Sequence, residues 1–289
     1  MTATDFLAVD MFRDARLNMV PIATDQNGMR MDSLETEIQL VAAAQRSERV
    51  AAAATKSTGG PKPPKSRYGG EYDGLIFLVP TFGNPTGATM PDDRRRRLVH
   101  LARRHNLLVL SDDVYQLLNF PGVQMPKRLV AYDLEAGAGS IDGIECGGKC
   151  HVVSNCSFSK LIGPGTRLGW IEAGVTLIDS ILASGVLESS GSMNHLSSGI
   201  MAHLLGSGAQ AAILAELRTT YAARANALCT ALKESLPAAA QLLVQPTGGF
   251  FAWLLLPPGM MHVRPNAASH CRVTFHLSVP SMLVCSNGS

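Results

Sequence analysis

Continuous apolar runs, without the alternation of a half-exposed strand, recur through the middle of the chain. Residues 75–79 (LIFLV) and 107–110 (LLVL) are two such runs, and residues 151–153 (HVV) form a third. Runs of this kind are typical of strands that are buried on both faces of a parallel sheet. Pro91-Asp92-Asp93 begins a helical pattern between the first two runs, so strands and helices alternate. The pattern predicts an α/β fold with a mostly parallel sheet and helices on both faces.

The flanking segments predict further elements and a second, smaller unit. Helical spacing is found over residues 5–17, 31–45 and 211–235, and a short apolar run over 19–22 predicts a strand. The composition of two segments favours an insertion at about 47–74 and a loop at about 131–150. Residues 242–244 and 250–256 read as a hairpin-like pair of strands around Gly248-Gly249. We therefore predict a large domain over residues 1–212 and a partial α+β small domain over 213–289.

Composition excludes several classes of protein. Hydrophobic residues make up 46% of the 289 residues, charged residues 17%, and the net charge is +2. A disordered chain would be more polar, and a dedicated nucleic-acid binder would be more basic. No apolar run reaches transmembrane length, and Asp5, Asp10 and Asp14 occupy the positions where a signal peptide needs basic and apolar residues. We expect a cytoplasmic protein with no membrane or nucleic-acid partner, and organelle targeting stays open.

Two groups of residues are interpreted as structural. The run Arg94–Arg97 is predicted to be a solvated helix face, because an apolar stripe formed by Leu98, Leu101 and Ala102 would face inward. The spacing of Cys146, Cys150, His151 and Cys156 fits no standard zinc pattern, so no metal site is predicted.

Polar clusters follow each of the three predicted sheet strands, where open α/β sheets bind ligands. The first two, Asn84-Pro85-Thr86-Gly87 and the segment 111–115 (SDDVY), are by themselves also typical of a turn and a helix cap. The third places two serines, a lysine and an arginine within the eleven residues 157–167. Hydroxyls and an arginine suit a phosphate, and a desolvated lysine is a nucleophile for carbonyls. A ligand with a carbonyl, a phosphate and a ring nitrogen would satisfy all three clusters, and pyridoxal phosphate has these groups.

Three motifs give the chain a resemblance to a known family. NPTG at 84–87, DDVY at 112–115 and SFSKLIGPGTRLGW at 157–170 occur in the order and rough spacing of the class I/II aminotransferases, which are fold-type-I pyridoxal-phosphate enzymes. The chain is similar to the kynurenine/2-aminoadipate aminotransferases and to the aminotransferase-like domain of MocR-type regulators. The resemblance covers about residues 6–256, interrupted near 47–74 and 131–150.

The resemblance implies roles for the residues around the cofactor ring. Lys160 would form a Schiff base with the cofactor and then carry the proton between the substrate's α-carbon and the cofactor. Asp112 would pair with the ring nitrogen and keep it protonated. Tyr115 and Asn84 would hydrogen-bond the cofactor's 3′-oxygen. Asp113 would lie outside the ring contact, because Asp112 is the aspartate three residues before Tyr115.

The same resemblance implies a phosphate site and an activity. The phosphate would be held by Ser157, Ser159 and Arg167. The activity would be transfer of an amino group between an α-amino acid and a 2-oxo acid, in a homodimer. Alternatives on the same fold are another pyridoxal-phosphate reaction, such as that of a C–S lyase or an aminocyclopropane-carboxylate synthase, and a non-catalytic or inactive cofactor-binding domain.

The chain departs from the family pattern near both ends. Asp5 stands where the family has an aromatic residue that stacks on the cofactor ring. No arginine can be assigned to the substrate's α-carboxylate, and Arg264 and Arg272 are candidates by default. We therefore expect the chain to be truncated at both ends relative to the family, as a partial or mis-spliced gene model would be.

Overall fold

The computed structural model describes most of the chain. It covers residues 6–55, 72–137, 148–190, 194–236 and 240–255, together with the backbone of two further strands, 272–276 and 283–286. The helices are α1 (Phe6–Asp14), α2 (Met31–Thr55), α3 (Asp92–Arg104), α4 (Leu129–Gly137), α5 (Val175–Leu182), α6 (Gly185–Ser190), α7 (His195–Gly206) and α8 (Ala209–Ser235). The strands are β1 (Thr24–Asp25), β2 (Gly28–Met29), β3 (Gly74–Leu78), β4 (Leu107–Asp112), β5 (Val152–Ser157), β6 (Gly169–Ala173), β7 (Gln241–Leu242), β8 (Phe251–Leu255), β9 (Arg272–His276) and β10 (Leu283–Ser286).

The central sheet has the order β3-β4-β5-β6, with the first three strands parallel and β6 antiparallel. One face of the sheet packs against α2, α3 and α4, and Val109 and Val152 are fully buried there. The other face carries Leu110 and Val153, which pack with Leu177 of α5. Full burial of a side chain such as Val109 or Val152 contributes about 1.5–3 kcal/mol to the free energy of unfolding. The predicted α/β class, with a mostly parallel sheet and helices on both faces, is confirmed.

A second, antiparallel sheet has the order β10-β9-β8-β7. The predicted hairpin-like pair is its β7–β8 pair, with Leu242 opposite Leu254. Backbone hydrogen bonds join the loop before β8 to the segment after β4: Phe120 N–H donates to Thr247 O at 2.9 Å, and Gly249 N–H donates to Leu118 O at 3.0 Å. The predicted domain boundary at 212/213 falls inside α8, and the division into two domains stays a prediction.

The N-terminal expectations are partly wrong. Residues 19–22 form no strand, and Met19 and Val20 are exposed. The short hairpin β1–β2 follows them instead. α2 continues through residues 47–55, the first part of the predicted insertion, because the alanine-rich run there has high helix propensity. The rest of that insertion, residues 56–71, lies outside the described residues.

The predicted loop at 131–150 contains most of a helix. In α4, Leu129, Val130 and Tyr132 join the core between α3 and the sheet. The neighbouring glycines obscured this short apolar pattern. Residues 138–147 of the same segment lie outside the described residues.

α7 and α8 are joined by a short break. Asn194 caps α7 by accepting from Ser197 N–H, and Gly208, with φ of +76°, precedes α8. No single helix in the described ranges is long and apolar enough to span a membrane, whereas α7 and α8 taken together, bent by 83°, pass that test on length and composition alone.

Candidate active site

The predicted site residues lie along the carboxyl edge of β3, β4 and β5. Asp112 is the last residue of β4 and pairs in register with Asn155 of β5. Lys160 ends a short 3-10 helix, Phe158–Lys160, that follows β5 directly. Because parallel strands end at the same edge, the fold brings the second and third sequence clusters together.

The Lys160 amine faces aromatic rings. Its Nζ lies 5.7 Å from the centre of the Tyr115 ring and 6.0 Å from that of Phe250. Tyr115 is buried, and its ring meets Phe250 and Phe251 edge to face at 5.6 and 5.4 Å. These contacts fix Tyr115 beside the amine that the sequence singled out. Phe250 was not predicted as a neighbour of Lys160.

The residues predicted to hold a phosphate lie close together where the chain turns after β5, within residues 157–167. Ser157 Oγ accepts a hydrogen bond from Ser159 N–H at 3.1 Å, and Arg167 Nη1 donates to Ser159 Oγ at 3.4 Å. Arg167 has a left-handed backbone, with φ of +46°. Asn194 supports this turn by donating to Thr166 O at 2.9 Å and to Arg167 O at 3.1 Å. Two hydroxyls and a guanidinium are therefore presented together.

Asn84 lies in the loop after β3, and the Asn84–Pro85 peptide is cis. Gly87 closes this loop by donating from its N–H to Gly83 O. Gly87 has φ of +69°, and a Cβ there would stand 2.9 Å from the Phe251 carbonyl oxygen. Glycine is therefore required for the loop to rest on β8, the strand whose Phe251 ring also contacts Tyr115.

The prediction that Arg94–Arg97 form a solvated helix face is wrong for Arg95. Arg94 and Arg97 form ion pairs with Asp25 and Glu35, but Arg95 is completely buried. Its guanidinium donates to Met90 O at 2.7 Å, Pro80 O at 2.9 Å, Thr81 Oγ1 at 2.8 Å and Lys127 O at 3.1 Å. Arg95 thus ties down both ends of the loop that carries Asn84. Burial lowers its pKa, although Asp113 and other nearby acidic groups oppose this shift.

Asp113 occupies a buried polar cluster beneath the edge. Its Oδ2 accepts hydrogen bonds from Ser111 Oγ at 2.9 Å and from Ser154 Oγ. Burial raises the pKa of this carboxyl, against the effect of the two serine hydroxyls. Asp112, in contrast, is only partly buried and bonds to Asn155. The two aspartates therefore have different partners and different solvent exposure.

Several residues named in the sequence analysis lie outside the part of the chain that the structure describes. Asp5, Cys146 and Arg264 lie outside the described residues, and only the backbone of Arg272 is described. Within the described ranges, no group of three or more His, Cys, Asp or Glu residues could hold a metal ion.

The chemistry of the donor set fits pyridoxal phosphate. Lys160 supplies an amine for the aldehyde, and Asp112 supplies an acceptor for a protonated ring nitrogen. The turn of Ser157, Ser159 and Arg167 supplies phosphate donors. These groups stand at one sheet edge, so a single ligand can meet them.

Comparisons with known proteins agree with this assignment. The family described as aminotransferase class I and II matches residues 9–273. The uncharacterised protein YER152C of Saccharomyces cerevisiae is 34% identical over 265 residues, which cover 89% of this chain and 57% of the relative. Aromatic-amino-acid aminotransferase 1 of Thermococcus litoralis is 26% identical over 258 residues, covering 89% and 52%. The structure of Pyrococcus horikoshii kynurenine aminotransferase superposes with a TM-score of 0.66 at 25% identity, covering 89% of this chain and 54% of that one.

The matched relatives are longer than this chain. The chain spans about half the length of the relatives it matches, 57% and 52% for the two sequences above. The family match, by contrast, covers most of this chain. Pyridoxal phosphate is the cofactor of this family, as the sequence motifs imply. The chain belongs to the class I and II aminotransferase family.

Proposed function

We propose that the protein is a pyridoxal-phosphate-dependent aminotransferase that moves an amino group between an α-amino acid and a 2-oxo acid. The observation that carries this proposal is the position of the Lys160 amine. It stands beside the Tyr115 ring and follows the strand that pairs with the Asp112 strand. Family membership supports the same reaction class.

Lys160 has two tasks in this proposal. When bound, pyridoxal phosphate supplies an aldehyde that condenses with amines and a ring that accepts the electron pair left at the substrate's α-carbon. Lys160 would hold the cofactor through its amine, and the same amine, when free, would move the proton at the substrate's α-carbon. The rings of Tyr115 and Phe250 lie beside this amine.

Asp112, Tyr115 and Asn84 act on the electronics of the ring. The Asp112 carboxylate stabilises a proton on the ring nitrogen, which strengthens the ring as an electron acceptor. The Tyr115 hydroxyl and the Asn84 amide are proposed to form hydrogen bonds with the 3′-oxygen of the cofactor. Tyr115 is held for this by its edge contacts with Phe250 and Phe251.

Ser157, Ser159 and Arg167 are proposed to bind the phosphate. Arg167 can offer two parallel N–H donors, and the serine hydroxyls lie beside it in the same turn. Residues that hold the phosphate would also orient the cofactor toward the Lys160 amine, because Ser159 directly precedes Lys160 in the same 3-10 helix.

The relatives guide the choice of substrates. One sequence relative is named an aromatic-amino-acid aminotransferase and one structural neighbour a kynurenine aminotransferase. We therefore propose aromatic amino acids and kynurenine as the first amino donors to test. We further propose that the protein acts as a homodimer in the cytoplasm.

An absorption titration tests the function. Purified protein is mixed with pyridoxal phosphate, in parallel with Lys160→Ala. We expect a shifted cofactor band in the wild type alone, and its replacement by the band of the amine form of the cofactor when an amino donor is added, with release of the 2-oxo acid.

Other outcomes would overturn the proposal in different ways. A shifted band without any conversion by a panel of amino donors would favour a non-catalytic cofactor-binding domain. Release of ammonia without formation of the amine form of the cofactor would favour a lyase. No band in a folded wild type would favour an inactive remnant.

A further inference from the structure

Asn155 is a polar partner of Asp112, the proposed acceptor for the ring nitrogen. Its Nδ2 donates to Asp112 Oδ1 at 2.8 Å. The assignment of nitrogen and oxygen in this amide follows from chemistry, because an ionised carboxylate can only accept. Asn155 is solvent-exposed, so core packing does not explain its position.

The backbone of Asn155 supports the same contact. Asn155 pairs in register with Asp112, and its carbonyl oxygen accepts from Asp113 N–H at 2.8 Å. Asn155 therefore makes two hydrogen bonds at the end of β4. Its side chain donates to the Asp112 carboxylate, and its backbone carbonyl accepts from the N–H of Asp113. Asp112 is the last residue of β4.

Two physical effects follow from this hydrogen bond. The carboxylate torsion of an aspartate is broad and roughly two-fold, so a donor to one oxygen selects one orientation of the plane. A donor to the ionised form also stabilises the negative charge. Both effects favour a fixed, charged acceptor, which is what a protonated ring nitrogen requires.

We propose that Asn155 is a positioning residue that orients the Asp112 carboxylate toward the ring nitrogen of the cofactor. This inference rests on the proposed function. Asn155 does not touch the cofactor in this scheme; it acts through Asp112. It is therefore expected to matter only for ligands that carry the ring nitrogen.

The test compares two ligands by equilibrium binding. One is pyridoxal phosphate, and the other is an analogue in which a C–H group replaces the ring nitrogen. Asn155→Leu removes the donor, and Asn155→Ala removes it with a smaller side chain. If one variant has a folding defect, the other still provides the test. We expect the Kd for pyridoxal phosphate to rise about tenfold in both variants, because the lost hydrogen bond is made to a charged group and partial exposure weakens it. The Kd for the analogue should stay unchanged.

A double-mutant cycle and a neighbouring control complete the design. Asn155→Leu should have no further effect on cofactor binding in an Asp112→Ala background, because the partner is already gone. Ile171 lies opposite Asn155 on β6 and is exposed, so Ile171→Thr perturbs the same sheet face without touching the hydrogen bond. This control should bind both ligands as the wild type does.

The outcomes separate this inference from the proposed function. Equal losses for both ligands, or additive effects with Asp112→Ala, would show that Asn155 has only a structural role and would overturn the inference. An unchanged Kd for pyridoxal phosphate in Asn155→Leu would overturn it as well. A wild type that does not bind pyridoxal phosphate at all would instead overturn the proposed function.

Discussion

The ring of Phe82 lies directly on Gly248, so that a Cβ at Gly248 would stand 2.2 Å from the Phe82 Cζ atom. Phe82 is buried and has a left-handed backbone, with φ of +50°. It precedes Asn84 in the loop after β3, while Gly248 precedes β8. This contact, with the Gly87–Phe251 approach, seats the Asn84 loop against the strand that contacts Tyr115.

Gly248→Ala is expected to destabilise the protein. A methyl group at this position cannot fit without moving the Phe82 ring or the backbone, and overpacking of this kind costs about 1–3 kcal/mol. Urea denaturation measures the change. Gly199→Ala serves as the control: a Cβ there meets nothing within 4 Å in the middle of α7, and the change should stabilise by up to about 1 kcal/mol.

A second variant identifies the cause of that loss. Adding Phe82→Leu to Gly248→Ala should give a smaller total loss than the sum of the two single changes, because the clash is shared. Additive losses would show that the Phe82–Gly248 contact does not limit the packing.

Arg95→Met is expected to cost about 3 kcal/mol or more in the free energy of unfolding. It would remove the Arg95 donors to the buried Met90 carbonyl and the Thr81 hydroxyl, and it would leave Pro80 O with the Met90 N–H but without Arg95. Arg97→Met on the same helix removes only an exposed pair with Glu35 and should change stability by less than about 1 kcal/mol. Equal effects of the two substitutions would contradict the assigned role of Arg95.

His151 is expected to make stability depend on pH below about 6.5. It is buried, and its Nδ1 donates to Leu107 O at 2.8 Å. Burial lowers its pKa from the ordinary value of 6.5. The hydrogen bond to Leu107 O and the Asp133 carboxylate oppose this shift, whereas the cations Arg103 and Lys149 add to it. The unfolded state therefore binds this proton first as the pH falls.

The consequence can be measured by denaturation at several pH values. The contribution of a neutral His151 is fully present above pH 6.5 and is lost as the pH falls through its lower folded-state pKa. His151→Gln should show a weaker loss of stability between pH 7.5 and 5.5 than the wild type (a range of about two units around the ordinary histidine pKa). Identical pH profiles would refute a neutral buried His151.

The sequence predicted the central sheet and the main site residues because those signals are local. The runs at β3 and β4 are apolar and that at β5 contains two valines. Two of the three motifs begin at the ends of β4 and β5, and NPTG begins six residues after β3 ends. The strand expected at residues 19–22 failed because a short apolar run forms a strand only where a neighbouring strand can bond to it. α4 was missed because its pattern is short and lies among glycines.

Asn155 and Arg95 were missed for different reasons. The partner of Asn155 depends on the register between β4 and β5, which no local pattern reveals. Arg95 did leave a signal. It stands three, four and seven residues before the buried Leu98, Val99 and Ala102, which places it on the inner face of α3. Its charge and its place in an arginine run outweighed that spacing in the interpretation of the sequence.

The most direct test of the account is to locate the covalently bound cofactor. The protein is incubated with pyridoxal phosphate, reduced with borohydride, digested, and its peptides are examined by mass spectrometry, with Lys160→Arg in parallel. The account predicts a reduced cofactor label on Lys160 in the wild type and none at that position in the variant. A label spread over other lysines, or equal labelling of wild type and variant, would contradict it.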